Sequence, residues 1–326
     1  MAKVTFGNGP RTLQEAIVFF SDYANCHRAV SEIRWPDGVV RCPHCGSDHV
    51  TYLESARRWK CYAKHAKPQF SLKVGTIFED SAIPLQKWLP ALWLLTTCKN
   101  GISSYELARA LGVTQKTAWF MLSRLRMALH AGDSPKMSGH VEADETFIGG
   151  KARNMHYGKR KRMGITQGKS MAGKVAVFGL LQRHGSDGHS TVHLAQIPSN
   201  KRRHLMPHVN ERVEKGATMH TDSLPSYEAL TSDYTHKVID HAEAYVDGEV
   251  HTNSMENFWS LLKRTIKGTY VSIEPFHLFR YLDEQAFRFN KRKLTDAARF
   301  VIALNGIVGK RLTYAALTGA IEPETC

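Results

Sequence analysis

His140-Val-Glu-Ala-Asp-Glu-Thr-Phe-Ile148 alternates with a period of two, the pattern of a strand with one face in a core. Val141, Ala143, Glu145 and Phe147 fall on one face; Glu142, Asp144, Thr146 and Ile148 fall on the other. Aspartate is disfavoured inside strands, so Asp144 in the middle of this one points to a chemical role. Gly149 and Gly150 end the strand. Downstream, residues 175–182 and 191–197 read as strands and residues 199–213 as a helix. Residues 217–221 form a short strand that ends at Asp222-Ser223, a helix follows Pro225, and residues 236–239 are one more short strand. Asp222 thus stands at a strand end, the edge of an α/β sheet where ligands bind. His251-Thr-Asn-Ser-Met-Glu-Asn-Phe-Trp-Ser-Leu-Leu-Lys-Arg264 reads as a helix capped by Thr252 or Ser254. Glu256 lies near its start, and Lys263, two turns on, shares its face; Phe258, Leu261, Leu262 and Ile266 make a core-facing side.

Asp144, Asp222 and Glu256 together suit two-metal phosphoryl chemistry, in which carboxylates hold two magnesium or manganese ions about 3.5–4 Å apart. Residues 151–174 carry eight Lys or Arg and no acid. A segment of that composition cannot pack a core. It reads as a mobile phosphate-binding loop, with Lys151, Lys159, Arg160, Lys161 and Arg162 as DNA contacts.

The charge of the whole chain agrees. Its 326 residues hold 44 Lys and Arg against 30 Asp and Glu, a formal net charge of +14, which calls for a polyanionic partner. Hydrophobic residues make up 42%, which excludes a disordered basic tail protein. The length predicts two or three domains. The longest apolar stretch, around residues 88–95, is far short of a membrane span, and the first ten residues hold no apolar signal region. No membrane partner is expected, and the localisation expected is cytoplasmic, with the bacterial nucleoid.

Among the six cysteines, Cys42-Pro-His-Cys45-Gly is a zinc knuckle, two thiolates on a tight turn that can reach one tetrahedral ion. Cys61 follows after a basic turn and Trp59-Lys60, and His65 is the best fourth ligand, giving one structural zinc on Cys42, Cys45, Cys61 and His65. His44 and His49 compete on the first knuckle; His44 lies inside the pair and would strain the chelate. Residues 12–23 and 24–34 have helical apolar spacing before the ribbon, and residues 69–74 alternate like a strand after it.

Residues 84–97 form an apolar helix. Ser103 or Ser104 caps a short helix, Leu111-Gly112-Val113 is a tight turn, and Thr114 caps a second helix that runs to about His130. This is a helix-turn-helix pattern. In such a motif the start of the second helix faces base edges, here Thr114, Gln115, Lys116 and Thr117, while Arg124 and Arg126 can reach phosphates. Residues 131–139 read as a linker.

Trp35-Pro-Asp-Gly-Val-Val-Arg-Cys-Pro-His-Cys-Gly46, Gln69-Phe-Ser-Leu-Lys-Val-Gly-Thr-Ile-Phe-Glu79, Lys116-Thr-Ala-Trp-Phe-Met-Leu122, Val141-Glu-Ala-Asp-Glu-Thr-Phe-Ile-Gly-Gly-Lys151 and the stretch 251–264 occur in this order over almost the whole chain. In these stretches the chain resembles the bacterial DDE insertion-sequence transposases with an N-terminal zinc ribbon, the group named for insertion sequence 1595. The resemblance implies a multidomain α+β and α/β protein: N-terminal helices and zinc ribbon (1–80), a helix-turn-helix region (81–132), an RNase H-like mixed sheet flanked by helices (140–305) and a C-terminal tail (306–326). It implies Asp144, Asp222 and Glu256 as a magnesium-binding triad, with Lys263 at the DNA of the element end; Arg264 beside it is a further candidate DNA contact. Asn or His can stand at the third position in this family, and Asn253 lies one turn before Glu256. The partners it implies are double-stranded DNA (terminal inverted repeats and target) and further copies of the chain in a homodimer or larger synaptic complex. A DNA-binding regulator, or a domesticated transposase without catalysis, is the rival reading; it has no use for acids at three sheet-associated positions.

Overall fold

Thr12 and Asp22 set the start of the chain's first two helices, each by accepting a backbone N–H with its side chain. The computed structural model describes residues 9–130, 132, 135–150, 156–162, 173–185, 188–239 and 251–320. The chain divides into two units, Met1–His130 with Lys293–Cys326, and Ala131–Arg292.

The first unit opens with α1 (Leu13–Ser21) and α2 (Tyr23–Arg34), then β1 (Val50–Leu53), β2 (Arg58–Cys61) and β3 (Gln69–Phe70), then α3 (Leu85–Thr97), α4 (Ser104–Leu111) and α5 (Gln115–Leu129). The three strands form one antiparallel sheet in the order β1-β2-β3. The strand expected over 69–74 is only two residues long, because β2 offers it only Trp59 and Lys60 as partners and the chain turns at Ser71, whose carbonyl accepts the Val74 N–H. Buried Trp59 stacks on Phe70 and on His27 of α2. Ser103 and Glu106 close a reciprocal capping box on α4, and Gly112 ends that helix in the left-handed region at φ +59°.

The second unit holds β4 (His140–Ile148), α6 (Tyr157–Arg162), β5 (Val175–Gln182), β6 (Thr191–Ile197), α7 (Arg202–Arg212), β7 (Thr218–Asp222), a 3-10 stretch (Pro225–Ser232), β8 (Thr235–Ile239), α8 (Asn253–Thr265), a π turn (Ile266–Tyr270) and α9 (Leu278–Asn290). Its five strands lie in the order β6-β5-β4-β7-β8, with β4, β5 and β6 antiparallel and β7 and β8 parallel to β4. β4 is therefore the middle strand, and its period-two pattern is filled on both faces. Val141 and Ala143 pack with Phe178, Leu205, Val209 and Tyr227 under α7 and the 3-10 stretch. Ile148 packs with Val177, Leu181, Phe258, Trp259 and Leu282 under α8 and α9.

The chain then returns to the first unit through α10 (Asp296–Asn305) and α11 (Tyr314–Leu317). This differs from the expected sheet domain over 140–305 followed by a C-terminal tail from 306. Phe300 of α10 is buried against the rings of Phe20 and Trp93, and Leu312 and Leu317 are buried beyond it. The apolar face of α10 finds its cover on α3, not on the sheet. Among the described residues no helix is long and apolar enough to cross a membrane.

Candidate active site and metal centre

Two carboxylates lie on neighbouring strands in the middle of the larger sheet. The parallel register pairs Glu142 with His220. Two residues further along both strands come Asp144 and Asp222, so both side chains leave the sheet on the face that α8 covers. α8 can lie close because Asp144 is paired across the sheet with Gly179. A Cβ at Gly179 would come 2.7 Å from the Trp259 ring, and closer still to the Met255 methyl. With no side chain there, the Trp259 indole Nε1 reaches in and donates to Asp144 Oδ2 at 2.9 Å.

Burial, together with the negative charges of Asp222 and Glu256, raises Asp144 to a pKa of about 6 against two opposing hydrogen bonds, from the Glu145 N–H and from Trp259. Asp144 thus feels the charge of both other acids. Asp222 Oδ1 accepts the Leu224 N–H at 3.2 Å at the end of β7. Glu256 is exposed in the first turn of α8, Lys263 and Arg264 are exposed two turns on, and Asn253 is exposed at the helix start. Asp144 keeps lone pairs beyond its two bonds, and a buried carboxylate flanked by two others is relieved by a cation. Carboxylates are the donors that magnesium and manganese take, but the ligand atoms of these three do not all close to within 4.8 Å of one another in the structure.

Two acids of the same strand escaped the sequence reading. Glu145, on the opposite face, accepts the Tyr227 hydroxyl. Burial, with the charges of Asp222 and Asp144, raises it to about 8 against the Tyr227 hydrogen bond. Glu142 is fully buried, and it caps α8: its Oε2 accepts the Met255 N–H at 2.8 Å. The expected local cap is absent, since Thr252 holds the N-cap position without a side-chain hydrogen bond. No local spacing announces a cap from a strand 113 residues away.

The ribbon brings its four predicted ligands together. Cys42 Sγ lies 3.5 Å from His65 Nε2, and Cys45 Sγ lies 3.6 Å from Cys61 Sγ. All four ligand atoms fall within 4.8 Å of one another, and among the described residues they are the one such cluster of metal-ligating side chains. A tetrahedron with Zn–S bonds of about 2.3 Å has edges of roughly 3.8 Å, so these separations are those of ligands around a structural zinc. His44 and His49 stay outside it; His49 lies against Tyr62.

Of the predicted DNA contacts, Thr114 caps α5 by accepting the Thr117 N–H. Gln115 donates to Ser104 of α4 at 2.8 Å and so ties the two helices together. Lys116 is exposed, with its ammonium 5.0 Å from the Tyr314 ring centre. Arg124 is a correction. It is 4% exposed, and its guanidinium donates to the carbonyls of Leu312, Ile77 and Glu79, so it binds the fold together and faces no phosphate. Arg126 is buried as well. Residues 157–162, expected in a loop, form α6; Lys161 and Arg162 are exposed and Arg160 is half-buried. Lys159 belongs to that helix, its side chain lying outside the described set, and Lys151 lies outside the described residues altogether.

The sequence compares with known proteins as follows. The family model of the ISXO2-like transposase domain matches residues 136–290, and that of the transposase zinc-ribbon domain matches residues 21–64. An uncharacterized protein in transposable element ISH50 of Halobacterium salinarum is 31% identical over 243 residues, which cover 72% of this chain and 80% of that protein. An uncharacterized transposase-like protein of Haemophilus influenzae is 28% identical over 104 residues, covering 32% of this chain and 84% of that protein.

Proposed function

This chain belongs to the transposase family of insertion sequence 1595, and we propose that it cuts DNA at the terminal inverted repeats of a bacterial insertion sequence and joins the freed ends to target DNA. The observation that carries this reading is the placement of Asp144 and Asp222 on adjacent central strands of a mixed sheet, on the face covered by the helix that bears Glu256. We read that sheet, three antiparallel strands followed by two parallel ones, as RNase H-like, and the three acids as a DDE triad.

Two magnesium or manganese ions on this triad would supply the charge that activates the attacking oxygen and stabilises the leaving one. The chain's own residues orient that chemistry. Trp259 holds the Asp144 carboxylate at a fixed angle, and the Leu224 N–H does the same for Asp222. Lys263 and Arg264, exposed on the helix that carries Glu256, hold phosphates of the element end, and the basic residues of α6 add to that grip. The ribbon, and the start of α5 in a helix-turn-helix with α4, bind the inverted repeats through Thr114, Lys116 and Thr117. Joining two ends requires a homodimer or larger synaptic complex.

The test uses the full chain, a duplex carrying the element end, and magnesium. Asp144→Ala is expected to bind the end as wild type does and to lose strand cleavage. An Asp144→Ala variant that still cuts overturns the triad. A wild-type protein that binds ends and never cuts, in magnesium or manganese, overturns the enzyme reading in favour of a regulator.

A further inference from the structure

Glu142 has no exposed surface, yet it is an acid, and its side-chain oxygens have polar partners. Arg183 Nε donates to its Oε1 at 2.5 Å. The Met255 N–H donates to its Oε2 at 2.8 Å and shares that hydrogen with the Thr252 carbonyl at 3.0 Å. His251 Nδ1 stands 3.6 Å from Oε1, and Arg183 Nη2 bridges back to His251, 2.8 Å from its Nδ1 and onto its carbonyl. The carboxylate therefore holds the first turn of α8 directly and His251, on the approach to it, through Arg183. The helix end is electropositive, which favours an anion at this point.

A second bond repeats the arrangement one step along. Asp144, two residues after Glu142 on β4, takes the Trp259 indole, and Trp259 lies four residues after Met255 on α8. Two strand residues span about 6.7 Å, and four helix residues span about 6 Å. The two spacings match, so the strand and helix are locked in one register at two points. Glu256 is the residue next to the first point. A buried ion pair contributes little net stability compared with an apolar replacement of the same shape, and its best-attested use is to fix a register.

We propose that Glu142 is a positioning residue: it sets the start of α8 against β4 and thereby places the Glu256 carboxylate opposite Asp144 and Asp222. This rests on the reading of Glu256 as the third metal ligand. Glu142 touches no reacting atom. It acts through the helix backbone.

The experiment compares full-length wild type with Glu142→Gln and Glu142→Asp. Aspartate keeps a charge for Arg183 and is one carbon too short to hold Arg183 and Met255 together. Amide hydrogen exchange is measured first, with neither DNA nor metal added. The first-turn amides of α8, at Met255 and Glu256, are expected to exchange about tenfold faster in both variants, with β4, β5 and α9 unchanged. Magnesium chloride is then titrated into a strand-cleavage assay. The cleavage rate is expected to fall by about 100-fold and the magnesium midpoint to rise, while affinity for the DNA end holds within about twofold. Unchanged α8 protection in a folded variant overturns the proposal. So does protection lost equally from β4, β5 and α8, or failure of both variants to fold, since either makes Glu142 a general determinant of folding. An Asp144→Asn protein that still cleaves removes the triad beneath the proposal and leaves the exchange result standing, so the two failures are distinguishable.

Discussion

Replacing Gly179 with alanine adds one methyl group where α8 crosses β5. The new Cβ would lie 2.7 Å from two atoms of the Trp259 ring. Contact between carbons needs about 3.5–4.0 Å, so the ring must retreat by about 1 Å. The Met255 methyl, closer still, can swing aside because it ends a flexible chain. Trp259 cannot, since its Nε1 is tied to Asp144 at 2.9 Å and its ring is buried between the sheet and Phe258. A retreat of 1 Å breaks that hydrogen bond. Overpacking costs about 1–3 kcal/mol and a lost bond to a charged acceptor costs about 1.5–3 kcal/mol, so G179A should destabilise the sheet unit by about 3–5 kcal/mol. Cleavage should fall by roughly 100-fold, because the Asp144 carboxylate and the Glu256 helix both move. Urea unfolding and a magnesium-dependent cleavage assay read the two effects. Wild-type stability and rate in G179A would refute the close approach of α8 to the sheet, and with it the account of how the acids come together.

Cys61→Ser or a strong chelator should take the zinc content from one ion per chain to about zero and unfold the ribbon, given the large share of folding energy that structural zinc supplies; the sheet unit should melt as before, and full zinc retention in the variant would count against the four-ligand site. Arg124→Ala strips three carbonyls of a charged donor and should cost about 3 kcal/mol or more in urea unfolding, with the salt dependence of DNA binding unchanged. A shallower salt slope at unchanged stability would restore Arg124 as a phosphate contact. Burial beside Trp59 and Tyr52 holds the His27 imidazole below its ordinary value of 6.5. Below that pH the unfolded chain binds the proton and the folded chain resists it, so the first unit keeps its stability above pH 6.5 and loses it as the pH falls through that value. Comparing wild type with His27→Gln in urea at about pH 5 and about pH 7.5 should show a smaller acid loss in the variant; equal losses would assign the effect elsewhere.

Much of the candidate site was legible before any fold was known. The alternation of residues 140–148 placed Asp144 on one face and Glu145 on the other, and the structure keeps that division through Trp259 on one side and Tyr227 on the other. The ribbon ligands were legible because a chelate at Cys-x-x-Cys spacing is a local geometric fact. A serine cap at Ser103 or Ser104 and a turn at Gly112 were legible for the same reason, and the structure makes them a capping box and a left-handed Gly112. Glu142 was not, although it stands two residues from Asp144, because its partners are an arginine 41 residues away and a helix amide 113 residues away. A polar residue at an even position of β4 looked like a polar face of the sheet. Arg124 misled in the opposite sense. An arginine on a helix beside a DNA-reading pattern suggests a phosphate, and only the return of residues 306–320 shows a guanidinium spent on main-chain carbonyls.

The sequence alone determined the elements whose causes lie within a turn or a strand: the knuckle, the starts of α4 and α5, the period of β4, and the family to which these motifs belong. The tertiary structure decided which of its charged side chains are buried and what they hold. It put Gly179 beneath Trp259, the Glu142 carboxylate at the start of α8, and α10 against α3 with Phe300 among the N-terminal rings. The division has one physical reason. Bond geometry and pleat constrain neighbours along the chain, and any sequence displays them; the partner of a buried charge or of a missing side chain is chosen by packing across the fold, and no period along the chain records it.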